Sequence, residues 1–244
     1  MQSPWCGVRI RPCLSMNRSH LKFRARKEAD SPVDDPEPRW PAAVAILAVG
    51  GLYTALPEEL TLGPHWLFPS IVLTLLIPSI ITHHMGSHRM SIALGYAVDA
   101  VLTTGLIASI VLLIAALPAR RDTPQELLFS ASSLWITNIL VFALWYWRLD
   151  AGGPHQRDRR AKHSEGSFLF PQTTMTPEAL EQAGQENWSP EFIDYLFLAF
   201  NTSTALSPTD VPVLDRWAKI LMMIQAILSL LIIAILAARA VNML

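Results

Sequence analysis

The strongest constraint in this sequence is a set of long windows that hold almost no charge. Residues 40–56, 66–81, 90–117, 127–147 and 216–242 are each dominated by apolar side chains. About 20 such residues are enough to cross a hydrocarbon layer of roughly 30 Å. Backbone groups in that layer must be paired within the protein, which leaves helices or a closed barrel. A barrel would show segments of about ten residues with alternating polarity, and none is visible. The expected fold class is therefore all-α, a polytopic transmembrane helical bundle. Composition agrees: 51% of the 244 residues are apolar and 16% are charged, against about 25% charged in an average soluble domain. The expected location is the cell membrane, multi-pass, with the lipid bilayer as the first partner.

The chain divides into four regions. Residues 1–39 form a polar tail, basic between Arg9 and Lys27 and then acidic and proline-rich. Its composition predicts disorder, and its positive charge predicts a cytoplasmic position. It has no apolar run at its start, so it does not read as a signal peptide. A polybasic stretch beside a membrane helix meets anionic lipid, and nucleic acid is not expected as a partner. Cys6 and Cys13 match no metal-ligand spacing and read as incidental thiols.

Residues 40–148 carry four expected transmembrane helices. Pro41 suits a first helical position. Thr123-Pro124-Gln125-Glu126 predicts a helix start, with Thr123 as N-cap and Glu126 three residues on. Trp145, Tyr146, Trp147 and Arg148 read as an aromatic belt with a basic anchor. Residues 149–189 form a polar connection long enough to imply function or disorder. Within it, Thr176-Pro177-Glu178 and Ser189-Pro190-Glu191 are expected to start short helices.

Asp99, Asn138 and Gln225 are polar side chains well inside the apolar windows. An intramembrane carboxylate is costly and is a functional candidate by default, and Asp99 lies either at the boundary or about two turns inside. Asn138 and Gln225 read as hydrogen-bond donors and acceptors between helices. His83, His84 and His88 sit in a polar joint, and His84 and His88 have the spacing of one helix face. With no third ligand type nearby, no metal site is expected. No nucleophile–base pair or phosphate-binding glycine loop stands out, so neither an enzyme nor a cofactor is expected.

The last region, residues 190–244, is the most informative. An apolar, aromatic stretch at 190–200 turns into the polar run Asn201-Thr202-Ser203-Thr204, followed by Ala205-Leu206-Ser207-Pro208-Thr209-Asp210 and then a long apolar helix. The first part is marginal for a crossing and suits a re-entrant helix. Non-helical backbone at membrane depth is tolerated only where it lines water or is buried in protein.

This order resembles the pore-loop module of potassium channels, in which a pore helix ends in a threonine-rich run, a Thr-Val-Gly-Tyr-Gly-Asp filter follows, and an inner helix comes next. On that pattern Thr202, Ser203 and Thr204 match the threonine run. Ala205, Leu206, Ser207, Pro208 and Thr209 occupy the filter, Asp210 matches its closing acid, and Arg216 the basic residue before the inner helix. Both filter glycines are missing, replaced by Ser207 and Thr209. The same block also resembles a family of uncharacterised bacterial membrane proteins, on Asp194-Tyr195, the hydroxyl-rich middle and Thr209-Asp210.

The potassium-channel resemblance implies a homo-oligomeric cation channel for monovalent cations, with residues 202–210 lining its narrow part. The alternative is a non-conducting structural or interaction membrane protein, in which Asn201–Thr204 and Gln225 join helices. The charge bias places both the tail and the basic residues 148–162 in the cytoplasm. A re-entrant segment 190–204 gives five crossings and a loop entering from the cytoplasm, and a spanning one gives six.

Overall fold

The computed structural model describes residues 37–85, 87–116, 123–158, 166–186, 188–204 and 211–242. Among them the chain is helical and contains no strand, only one isolated bridge between Phe168 and Val213. The principal helices are α1 (Trp40–Thr54), α2 (Leu67–His84), α3 (His88–Ala116) and α4 (Pro124–Leu149). The short helices α5 (Pro154–Arg157), α6 (Pro171–Thr174) and α7 (Pro177–Gln182) follow. The last two are α8 (Phe192–Thr204) and α9 (Arg216–Asn242).

Local sequence explains where these helices begin. The Thr123 hydroxyl accepts from the Glu126 N–H at 3.3 Å, and the Glu126 carboxylate accepts from the Thr123 N–H at 2.9 Å. That reciprocal pair satisfies two of the donors left open at a helix start. Thr176 caps α7 through the Ala179 N–H in the same manner. The start expected at Ser189 lies slightly later, at Phe192, and the Asp194 carboxylate accepts from the Glu191 N–H at 2.8 Å.

Three stretches, Arg89–Ala116, Gln125–Arg157 and Arg216–Ala238, are long and apolar enough to cross a membrane. The first expected crossing is shorter than the sequence suggested. The 15 residues of α1 reach about 22 Å at 1.5 Å per residue, because Pro57 disfavours helix at the residue before it. The 18 residues of α2 reach about 27 Å.

Helix α4 is the hub and touches α1, α3, α8 and α9, while α2 lies against α1 and α3. Burial agrees with this placement: 67% of the α4 window is buried, against 22% of the α9 window. Glu37, the end of α2, the start of α3 and the end of α4 share one end of the bundle, here the near end. Leu62 marks the far end, where its N–H donates to the Tyr53 hydroxyl at 2.7 Å and Tyr53 stacks on Phe68.

The path of α8 bears on the two expected topologies. It starts at the near end, where the Tyr195 hydroxyl donates to Asp150 at 2.7 Å. It finishes deep in the bundle, where Ser203 meets Asn138 and Gln225. By Val213 the chain is back at the near end. There Leu169 N–H donates to Pro212 O at 2.9 Å and Leu214 N–H to Ser167 O at 2.8 Å. The Phe168 ring lies between Tyr195 and Trp217. Helix α8 therefore runs from the near end into the bundle, and α9 begins at the same end as α8.

The polar connection after α4 is built into the fold. Ala151, Gly152 and Gly153 all have positive φ, which turns the chain sharply. At Gly153 (φ 88°) a Cβ would lie 2.7 Å from the Arg148 carbonyl, so only glycine fits. The turn brings Arg157 back to donate to the carbonyls of Trp147 and Asp150 at 2.8 and 2.9 Å. The Trp147 carbonyl belongs to the last turn of α4, where carbonyls lack intrahelical donors, and the Asp150 carbonyl also accepts from the Gly153 N–H at 2.8 Å. Phe168 and Phe170 of this segment are buried in the core, a placement that its polar composition does not reveal.

Candidate functional site

The inner face of α8 meets α4 and α9 along a neutral polar seam. Gln225 of α9 is its centre and is fully buried. Its amide donates to Ala199 O at 2.7 Å and to the Ser203 hydroxyl at 2.8 Å, and its Oε1 accepts from the Tyr146 hydroxyl at 2.5 Å. Ser229, one turn further, donates to Ser203 O at 2.6 Å and accepts from the Trp135 indole at 3.0 Å. Asn138 of α4 donates to Gln225 O at 3.3 Å, with Ser203 Oγ at 3.5 Å. The i, i+4 pairs 199/203 and 225/229 share the facing sides of two parallel helices, so the contacts repeat along one seam. Asn138 Oδ1 and, on α3, Ser109 Oγ are buried without a hydrogen-bond partner among the described residues.

The near end holds the charges. Arg148 on α4 pairs with Asp99 on α3. Its guanidinium also lies over the rings of Tyr96 and Trp147, at 5.9 and 5.5 Å from their centroids. Arg157 pairs with Glu37 at 2.8 Å and covers the Tyr195 ring at 5.1 Å. The Trp147 indole donates to the same Glu37 carboxylate. Asp150 accepts from both Ser167 N–H and the Tyr195 hydroxyl. Burial pushes the Glu37 carboxyl above its ordinary range, against the pull of the Arg157 charge and the Trp147 hydrogen bond. Desolvation outweighs attraction in such a pair, so it fixes geometry more than it adds net stability.

The candidate residues from the sequence separate clearly. Asp99 is fully buried and ion-paired. It lies about 16 Å along α3 from His88, yet level with the last turn of α4, because α3 extends further. Asn138, Gln225 and Ser203 come together in one seam. Thr202 donates to Leu198 O at 2.8 Å and Thr204 to Asn201 O at 3.0 Å, both within α8. Ala205, Leu206, Ser207, Pro208, Thr209 and Asp210 lie outside the described residues, as do the side chains of His83, His84 and His88 and tail residues 1–36. No group of three or more metal-ligating side chains occurs among the described residues.

Sequence reasoning missed Glu37, Arg157 and Asp150. In the sequence Glu37 belongs to the polar tail and Arg157 to a basic run. The available signal was Gly152-Gly153-Pro154, which reverses the chain directly after a belt of tryptophans. The seam offers amides and hydroxyls that hydrogen-bond one helix to another. No protein-family model, curated protein or solved structure matches this chain.

Proposed function

We propose that this protein is a pore-loop-type cation channel of the cell membrane, assembled from identical subunits, in which α8, residues 205–210 and α9 form the conducting element. One observation carries the reading. The chain enters the bundle as α8 and returns to the end it left before α9 starts. Such a return leaves residues 205–210 between two membrane-depth helices in the sequence, where polar backbone needs water or protein around it. The seam to Gln225 and Asn138 holds α8 in place as a pore helix must be held. Five passes and a loop entering from the cytoplasmic side follow from the basic residues near the same end.

The lining chemistry favours cations without potassium selectivity. Stacked carbonyl filters need the backbone freedom that glycine supplies, and Ser207 and Thr209 stand at those two positions. Selection would rest on Asp210 and the hydroxyls around it. Monovalent cation flux into liposomes holding the purified protein tests this. Asp210→Asn is expected to reduce the flux severalfold, and an unchanged flux removes the proposal.

A second reading also has a specific observation behind it. The hydroxyls of Thr202 and Ser203 are spent inside α8 and the seam, as in a non-conducting protein whose re-entrant hairpin only joins helices. Under that reading wild-type liposomes carry no flux, and Asp210→Asn changes nothing.

A further inference from the structure

We infer that the outer face of α8 is an interface with a second copy of this chain, centred on Asn201. Ile193, Phe197 and Phe200 form an exposed apolar stripe on that face, with relative exposures of 60%, 61% and 45%. An apolar stripe alone would be covered by lipid. Asn201, the next step of the stripe, is half-exposed on the same side. Its amide makes no hydrogen bond with the described residues, and its carbonyl already accepts from Thr204.

Depth makes that amide costly. Ala199 and Ser203 bond to Gln225 and Ser229, so Asn201 lies level with the third turn of α9, about 16 Å from Arg216. Lipid offers neither donor nor acceptor at that level. The inward polar groups Gln225, Asn138 and Ser229 lie against the opposite face of α8, out of reach of Asn201. A carboxamide both donates and accepts. Two copies of Asn201 around a rotation axis therefore satisfy each other, as a self-complementary patch does. The aromatic stripe then packs beside the amides in place of lipid tails. This interface shares its homo-oligomer with the proposed channel but does not depend on conduction.

The test is self-association of the full chain, carrying a C-terminal fluorescent fusion, in phosphatidylcholine liposomes at increasing dilution. Wild type is expected to associate. Asn201→Leu is expected to weaken association roughly threefold to thirtyfold, the range of one interhelical amide contact in membranes. Asn201→Gln, which keeps the amide, is expected to restore it. Should Asn201→Leu fail to fold, Phe197→Cys in a Cys6→Ser, Cys13→Ser background is expected to give a disulfide-linked dimer on mild oxidation. Wild type that stays monomeric at every dilution overturns the inference, whether lipid or a different protein then covers the stripe. So does Asn201→Leu that associates like wild type, or Phe197→Cys that never cross-links. Association lost with Asn201→Leu supports the interface even where cation flux is absent, so the two proposals fail separately.

Discussion

Arg148 folds back from the last turn of α4 and places its guanidinium on the Asp99 carboxylate of α3, across the bare backbone of Gly95. Asp99 is fully buried and the Arg148 side chain is 13% exposed. The pair ties the hub helix to its longest neighbour at the level of the last turn of α4. Asp99→Asn strands the guanidinium, and removing one partner of a buried pair costs about 3 kcal/mol. A titration of folded protein with denaturing detergent should show that loss, and a shift under about 0.5 kcal/mol would mean that Arg148 reaches water.

Gly95 makes the pair possible. A Cβ built there would overlap the Arg148 guanidinium. Gly95→Ala should therefore displace Arg148 and destabilise the protein by about 1–3 kcal/mol, although alanine favours helix. In the Asp99→Asn background the penalty of Gly95→Ala should shrink, because the guanidinium no longer has to stay there. Equal penalties in both backgrounds would show the two sites to be independent.

Glu37 gives a pH dependence with a definite sign. Its carboxyl titrates above the ordinary value of about 4.5 because burial outweighs the Arg157 charge. Between those two values the folded protein holds a proton that the unfolded chain has released. Stability therefore falls as pH rises through that window and this contribution is flat above it. Glu37→Gln cannot titrate, so the difference between wild-type and variant stabilities should change in that window. A wild type that gains stability there relative to Glu37→Gln contradicts the assignment.

Gln225 is the centre of the seam. Gln225→Leu leaves the Tyr146 hydroxyl without its acceptor and removes one of the donors to Ser203, and should cost about 1–2 kcal/mol. Tyr146→Phe combined with Gln225→Leu isolates the short contact between them. A double-mutant cycle should return a coupling of about 0.6–1.7 kcal/mol, the range for hydrogen bonds between membrane helices. A coupling near zero would mean that each side chain finds another partner.

Much of this was legible in the sequence, for physical reasons that differ by element. Long apolar windows can satisfy their backbone only as helices, so the helical bundle and the existence of α3, α4 and α9 are legible directly. The Thr123 cap was readable because its chemistry is local. Asn138 and Gln225 were identified as interhelical contacts, but their meeting with Ser203 needs the register of three helices, which no local pattern contains. The hydropathy of 190–204 could not separate a short crossing from a re-entrant helix. That choice depends on Phe168 pairing with Val213 across a long stretch of chain. Glu37 and Arg157 were unreadable for the same reason: each looks like a solvated charge until the turn at Gly152 and Gly153 brings them together.

The re-entrant path of α8 is the central claim, and side-specific cysteine labelling tests it most directly. Single cysteines replace Glu191 and Leu214, on either side of the hairpin, in a Cys6→Ser, Cys13→Ser background within sealed, uniformly oriented vesicles. A membrane-impermeant maleimide should label both positions from the same face, the one that carries the Glu37 end of the bundle. Labelling of positions 191 and 214 from opposite faces would make α8 a crossing helix and contradict the account.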